Sequence, residues 1–144
     1  MTDVSRTSCP IACSLDLFGD RWSLLILRDM MLAGKQRYKD FLASPEGIST
    51  NILASRLKQL LADGFIEKHK DPNDKKSAVY ILSERGISLL PVIIAIVDWA
   101  AKNNDAAAPL LVAEGLKKDR QVYLGEANGR LMQQRSQQLL ALVV

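Results

Sequence analysis

Residues 47–66 read GISTNILASRLKQLLADGFI and combine a helix start, an amphipathic helix and a helix stop. Ser49 is a favourable N-cap, because its hydroxyl can accept a hydrogen bond from a backbone N–H of the first turn. Leucines recur at helical spacing on one side of this segment, and polar side chains fall on the other. Gly64 suits the conformation that commonly ends a helix. The stretch predicts a helix that packs by one face and leaves a polar face open.

Two strand-like segments follow this helix directly. FIEKHK (residues 65–70) and SAVYIL (77–82) predict strands, and the polar segment DPNDKK (71–76) between them predicts a turn. A β-hairpin placed immediately after an amphipathic helix restricts the chain to few small folds.

Apolar periodicity predicts three helices before this stretch and one after the hairpin. The first begins at Pro10, because proline is favoured in a first helical turn. The last is capped by Ser83, and Pro91 is expected to kink it or to break its first turn. The three helices before the opening stretch cover about residues 10–18, 21–32 and 37–44, and the helix after the hairpin covers about residues 84–101.

The order of four helices, a hairpin and a further helix is that of a winged helix-turn-helix. We predict a mainly α fold with a small β-hairpin wing over residues 1–104, with its recognition helix in the opening stretch and its wing tip at 71–76. Residues 105–144 are predicted to form a helical C-terminal extension that follows the linker NNDAAAP. Gly115, Gly125 and Gly129 are expected to interrupt its helices.

Composition narrows the function classes. The chain has 144 residues, 48% of them hydrophobic, so it can bury a core as one domain with an extension, and a net charge of +3 is compatible with nucleic acid without requiring it. The longest apolar run, LLPVIIAIV, is too short to span a bilayer. The N-terminus lacks a basic segment followed by an apolar one, so no signal peptide is expected. Two cysteines provide no disulfide framework, which favours the cytoplasm. Neither a catalytic motif nor a metal or cofactor motif is present, so no enzyme and no cofactor are predicted.

Three segments, taken in their order along the chain, together resemble the HxlR-type winged-helix transcriptional regulators of bacteria, a MarR-like group. They are CPIACSLDLFGDRWSLLILRDMMLAGKQRYKDF, EGISTNILASRLKQLLADGFIEK and VYILSERGISLLPVI followed by Trp99. The resemblance covers about residues 9–101. It implies a DNA-binding homodimer formed through the first and last helices. The chain departs from the family at the wing, where Val79 stands before Tyr80 in place of a frequent glutamate, and the usual wing proline is absent.

The polar face of the recognition helix carries the base-reading candidates. Hydroxyl, amide and basic side chains can pair with base edges in the major groove, whereas a solvated polar face is the alternative. Arg56 lies nearer the apolar flank and is expected to bridge either to an acid or to phosphate. The candidates are Ser49, Thr50, Asn51, Ser55, Arg56, Lys58 and Gln59.

Basic residues elsewhere are candidates for phosphate contacts, which position a protein on DNA without reading sequence. Those in the hairpin are Lys70, Lys75 and Lys76, and those around the third helix are Lys35, Arg37 and Lys39. A plain solvated turn is the alternative for the hairpin.

Cys9 begins the first helix, where the helix dipole favours a thiolate, and Arg6 is close in sequence. The resemblance implies a thiol switch at this Cys-Pro position in some family members. The alternative is a capping or packing cysteine, and a disulfide to Cys13 within one intact helix would be awkward.

These observations predict a cytoplasmic homodimeric transcription factor, more readily a repressor than an activator, that binds an inverted-repeat operator in double-stranded DNA. A second apolar face on the last helix supports the dimer. The extension either adds to that interface or packs on its own subunit. The rivals are a winged helix used only for protein interaction, and a regulator that senses a small apolar ligand instead of an oxidant.

Overall fold

The computed structural model describes residues 8–103 and 119–143. Its helices and strands follow the predicted order, with the predicted helix at 84–101 divided in two and one long helix in the predicted C-terminal extension. They are α1 (Pro10–Phe18), α2 (Arg21–Ala33), α3 (Tyr38–Leu42), α4 (Thr50–Ala62), β1 (Ile66–Asp71), β2 (Asp74–Leu82), α5 (Glu84–Ile87), α6 (Leu90–Asn103) and α7 (Arg120–Ala141). The prediction of a mainly α winged helix-turn-helix is confirmed.

Helix boundaries fall where local capping chemistry places them. Ser49 accepts from the Ile52 N–H, and Ser83 accepts from the Gly86 N–H, as N-caps do. Gly34 and Gly64 follow α2 and α4 with φ of 65° and 77°, a left-handed conformation that side chains disfavour. The bounds of α1, α2 and α4 therefore agree closely with the sequence prediction.

The main core lies where α2, α4, α6 and the inner face of the hairpin meet. Leu27, Leu53 and Ile94 are fully buried there. The buried ring of Phe41, from α3, meets Tyr80 of β2 edge-on at 6.3 Å between ring centroids. Because these side chains come from every element of the helix-turn-helix, the core fixes α3, α4 and the wing relative to one another.

The wing is an antiparallel hairpin with a shorter tip than predicted. β1 pairs with β2 from Ile66–Leu82 to Asp71–Asp74, with a register shift after Lys70. Only Pro72 and Asn73 lie between the strands. The turn predicted over residues 71–76 is too long, because β2 already begins at Asp74. On the other side of β2, the Tyr80 N–H donates to the Gln36 carbonyl at 2.8 Å, so the segment before α3 borders the hairpin.

Pro91 accompanies the predicted break in the last helix of the winged-helix domain. α5 ends at Ile87, and α6 begins at Leu90 with Pro91 in its first turn, where a missing N–H costs nothing. The stretch Glu84–Asn103 is long and apolar enough to cross a membrane. However, Ile87, Leu90, Ile93 and Ile94 are buried in the protein core, which accounts for that composition.

The C-terminal helix α7 is continuous over 22 residues. The expectation that Gly125 and Gly129 interrupt it is wrong, because Ala127 and Leu131 are buried in the main core and hold the helix through both glycines. α7 contacts α5, α6 and β2 of its own subunit. The predicted linker after Asn103, the predicted helix at 110–119 with Gly115, and the expected role of Arg6 lie outside the described residues.

Candidate nucleic-acid interface

The exposed face of α4 carries the predicted base-reading residues. Buried Leu53, Leu57 and Leu60 recur on the inner side of the helix. Between them, the polar residues of the outer side are exposed, with the exception of half-buried Arg56. The exposed ones are Ser49, Thr50, Asn51, Ser55, Lys58 and Gln59. Gln59 donates to the Asp63 carboxylate at 2.9 Å, so its amide already has a partner on the helix.

The start of α4 is held against α3 and α2. The Tyr38 hydroxyl donates to the Thr50 carbonyl at 3.1 Å, which joins the first turns of α3 and α4. In the loop between them, Glu46 accepts from both terminal nitrogens of Arg28, at 2.9 and 2.8 Å. The hydrogen bonds from Arg28 lower the pKa of Glu46 to about 2, although burial opposes them. The turn of the helix-turn-helix is therefore fixed by a bidentate ion pair.

The wing tip is shaped by its two aspartates, Asp71 and Asp74. Buried Asp71 accepts from the Asn73 N–H at 2.9 Å and pairs with Arg37. These contacts lower the pKa of Asp71, the hydrogen bond from Asn73 most and the one from Arg37 next. Asp74 accepts from the Lys76 N–H at 3.0 Å. The tip is thus ordered by hydrogen bonds and tied to the residue before α3.

Basic groups from α3 and the wing meet at one cleft of about 400 Å³. Exposed Lys39 contributes from α3, and exposed Lys76 contributes from β2. Tyr38 lines the same cleft and also contacts the start of α4. Two positive charges in a cleft that Tyr38 joins to the start of α4 form an arrangement suited to contact with a DNA backbone.

Lys70 and Lys75 are also exposed on the hairpin strands. Three other predicted contact residues are engaged by the protein itself. Lys35 donates to the Ser44 hydroxyl at 2.7 Å and lies 3.4 Å from buried Asp29. Arg37 pairs with Asp71, and Arg56 pairs with Asp20. The structure therefore brings Lys39 and Lys76 together at one cleft, which Tyr38 joins to the start of α4. It gives Lys35, Arg37 and Arg56 partners within the protein.

Sequence reasoning missed Asp20, which caps α2 and also binds α4. Its carboxylate accepts from the Ser23 N–H and from Arg56 Nε, at 2.9 and 2.8 Å. Burial works against the charged form, but the hydrogen bonds from Ser23 and Arg56 and the positive charge of Arg56 together leave the pKa of Asp20 below its usual value. An aspartate immediately before a predicted helix is an N-cap signal, so the cap was detectable, whereas the pair with Arg56 was not.

Cys9 is exposed at the N-cap of α1, where its side chain makes no capping hydrogen bond. Cys13 follows one turn later in the same helix, with its N–H bonded to the Cys9 carbonyl at 3.0 Å. α1 buries none of its residues in this single subunit. Within residues 8–103 and 119–143, no cluster of three or more histidine, cysteine or acidic side chains could hold a metal ion.

Comparison with known proteins agrees with this geometry. The profile of the HxlR-like helix-turn-helix family matches residues 17–108, which include α2 to α6. The chain belongs to the HxlR-like helix-turn-helix family. This HxlR-like protein is 34% identical over 111 residues to sll1512 of Synechocystis sp., an uncharacterized HTH-type transcriptional regulator, across 74% of this chain and 81% of the relative.

Solved structures of similar proteins have the same winged-helix fold. PA1607 matches with a TM-score of 0.63 and 31% identity, over 74% of the HxlR-like protein and 82% of PA1607. The redox regulator HypR in its oxidized form matches with a TM-score of 0.60 and 27% identity, over 68% and 100% of the two chains. Both Cys9 and α7 lie outside the residues that the family profile matches.

Proposed function

We propose that the protein is a sequence-specific DNA-binding transcriptional regulator that acts as a repressor. One observation carries the proposal: the polar face of α4 is exposed, and Tyr38, which lines the cleft with Lys39 and Lys76, donates to the Thr50 carbonyl in the first turn of α4. In a winged-helix protein such a face enters the major groove, and the wing follows the neighbouring backbone. Membership of a family whose relatives are HTH-type transcriptional regulators supports the same function.

The proposed assembly is a cytoplasmic homodimer on an inverted repeat. Two recognition helices related by a two-fold axis fit half-sites about 34–36 Å apart. Exposed apolar side chains on α1 and α6, including Ile11 and Trp99, support dimerisation through these helices. Bound over a promoter, the dimer represses by excluding polymerase. The domain division proposed is a winged-helix unit over residues 1–104 and an extension over 105–144.

Two variants test DNA reading. Asn51→Ala removes an amide that can pair bidentately with adenine, so it relaxes preference at one base pair by about 1–3 kcal/mol. Lys76→Ala removes a phosphate contact, so it weakens binding to all DNA sequences alike. It also reduces the slope of log K against log salt by about 0.9. Fluorescence anisotropy on duplexes from upstream of the protein's own gene, over a salt series, measures both effects.

Arg130→Ala is the control for charge, because Arg130 is exposed on α7, outside the proposed DNA surface. It should leave the salt slope unchanged. A protein-interaction module is the rival function. It predicts that wild type and variants alike bind no duplex at physiological salt.

Cys9 is the proposed site of a thiol signal. Its exposed position at the start of α1, a proposed dimer helix, supports this, as does the likeness to HypR, a redox regulator. Oxidation or modification of the thiol would shift α1 and with it the angle between the two recognition helices. A Cys9→Ser protein that still releases DNA on treatment with diamide would contradict Cys9 as the site of the signal.

A further inference from the structure

Arg56 is the residue of α4 whose side chain departs from the pattern of its neighbours. Its flanking polar residues Ser55 and Lys58 are exposed, whereas Arg56 is half-buried. Its Nε donates to Asp20 Oδ2 at 2.8 Å, and its Nη1 lies 3.3 Å from the Ser55 hydroxyl. The guanidinium therefore extends from the flank of α4 to the start of α2.

Asp20 is held in place by two further interactions. The same Oδ2 that accepts from Arg56 accepts from the Ser23 N–H at 2.9 Å and from the Ser23 hydroxyl at 3.3 Å. Just before it, the Gly19 N–H donates to the Leu15 carbonyl at 2.7 Å. A Cβ at Gly19 would lie 2.5 Å from that carbonyl oxygen, so the turn from α1 to α2 has no room for a side chain at this position.

We infer that Arg56 is a positioning residue that anchors the recognition helix to the α1–α2 turn through Asp20, and that it does not itself read bases or contact phosphate. The inference rests on the proposed DNA-binding function. It gives Arg56 a different role from Asn51 and Lys76, which are proposed to contact DNA, although all three belong to the same predicted surface. It also places the turn that follows α1, the helix that Cys9 begins, one ion pair away from α4.

Positioning and direct contact make opposite predictions for Asp20→Asn. Asparagine caps a helix as well as aspartate, so α2 keeps its N-cap while the charge that orients Arg56 is lost. If Arg56 positions α4, the variant binds its operator about fivefold more weakly, which is the size of a partly exposed ion pair. If Arg56 contacts DNA, the variant frees its charge for phosphate and binding is as tight as wild type or tighter.

Arg56→Gln provides the second measurement. Positioning predicts about the same loss of specific affinity, an unchanged salt slope and unchanged affinity for a shuffled duplex. A lost phosphate contact would instead reduce the slope by about 0.9 and weaken both duplexes. A merely structural role would lower thermal stability without changing the ratio of specific to non-specific affinity. The double variant should lose no more than either single one, because the two substitutions remove one shared interaction.

Two controls correct for charge. Asp16→Asn removes one negative charge from an exposed position on α1, and it gives the effect that added charge alone has on affinity. Arg130→Gln removes a positive charge from an exposed position on α7, outside the proposed DNA surface, and it gives the effect that lost charge alone has on affinity. The duplex is the one upstream of the protein's own gene, compared with its shuffled sequence. If wild type does not distinguish them, the proposed function fails and the inference with it. If wild type does and Asp20→Asn matches the Asp16→Asn control, only the inference fails.

Discussion

The bidentate pair between Arg28 and Glu46 fixes the turn that sets α3 against α4. Because Arg28 lowers the pKa of Glu46 from 4.5 to about 2, the folded state binds this proton less readily than the unfolded state. The pair therefore contributes its full stability above about pH 4.5, and that contribution is lost as the pH falls toward 2.

Glu46→Gln should lower the free energy of unfolding by about 1 kcal/mol at pH 7, since the pair is partly exposed. The difference between variant and wild type should shrink steadily as the pH falls from 4.5 toward 2, because wild-type Glu46 is half protonated when the pH equals its folded-state pKa. Urea unfolding at a series of pH values measures this. Glu126→Gln, at an exposed position on α7, is the control. A difference between Glu46→Gln and wild type that stays constant from pH 7 to pH 2 would show that the ion pair does not stabilise the fold.

At the scale of secondary-structure elements, the glycines of α7 show what limits a reading from sequence. Local signals identified the caps at Ser49 and Ser83 correctly, because capping depends on neighbours within one turn. Gly125 and Gly129 were read as breaks, since isolated glycine weakens a helix. The burial of Leu131 against residues far away in the chain outweighs that local cost.

The candidate site divides in the same way. The exposed face of α4 was predictable, because its leucine spacing is local and fixes which side chains point outward. The partners of Arg37, Arg56 and Arg135 were not, because their acids stand 34, 36 and 68 residues away in sequence. Hydrophobic periodicity indicates which side of a helix is buried, but it does not indicate which distant residues pair in the folded chain. The pair between Arg37 and Asp71, which ties the wing tip to the segment before α3, is of this long-range kind.

Gly129→Ala should stabilise the protein by about 0.5–1 kcal/mol. Alanine has the higher helix propensity, and nothing lies within 4 Å of a Cβ at this position. Thermal unfolding followed by circular dichroism should show a rise of about 2–4 °C. Gly86→Ala is the matched contrast. A Cβ there would lie 2.1 Å from the Phe65 carbonyl oxygen, so that variant should be destabilised. A fall in stability for Gly129→Ala would contradict a continuous α7.

At the scale of the whole molecule, exposed apolar side chains distinguish two kinds of surface. α1 exposes Ile11 at 71% and Leu15 at 56%, and α6 exposes Ile96 at 51% and Trp99 at 64%. Paired apolar residues at helical spacing on two helices form a surface that water disfavours. α7 differs, because its exposed Val122 and Leu140 lie toward opposite ends of the helix and its inner stripe is buried on its own subunit. There Arg135 pairs with Glu67 and donates to the Leu82 carbonyl at 2.9 Å.

Trp99→Glu should therefore convert the proposed dimer to a monomer, because a carboxylate buried in an apolar interface without a partner is costly. The monomer should remain folded, since Trp99 is mostly exposed in one subunit. It should also bind the inverted repeat far more weakly, because the two half-sites are then bound by independent monomers and the second binding event is no longer intramolecular. Light scattering after size exclusion measures the mass, and circular dichroism confirms folding.

Val122→Glu is the matched control, because Val122 is 54% exposed on α7 and the substitution adds the same charge. If α1 and α6 form the interface, this variant stays dimeric and binds DNA as wild type does. A dimeric Trp99→Glu protein together with a monomeric Val122→Glu protein would move the interface to the extension. In that arrangement the extension would determine the spacing of the two recognition helices, and the two-fold pairing through α1 and α6 would be wrong.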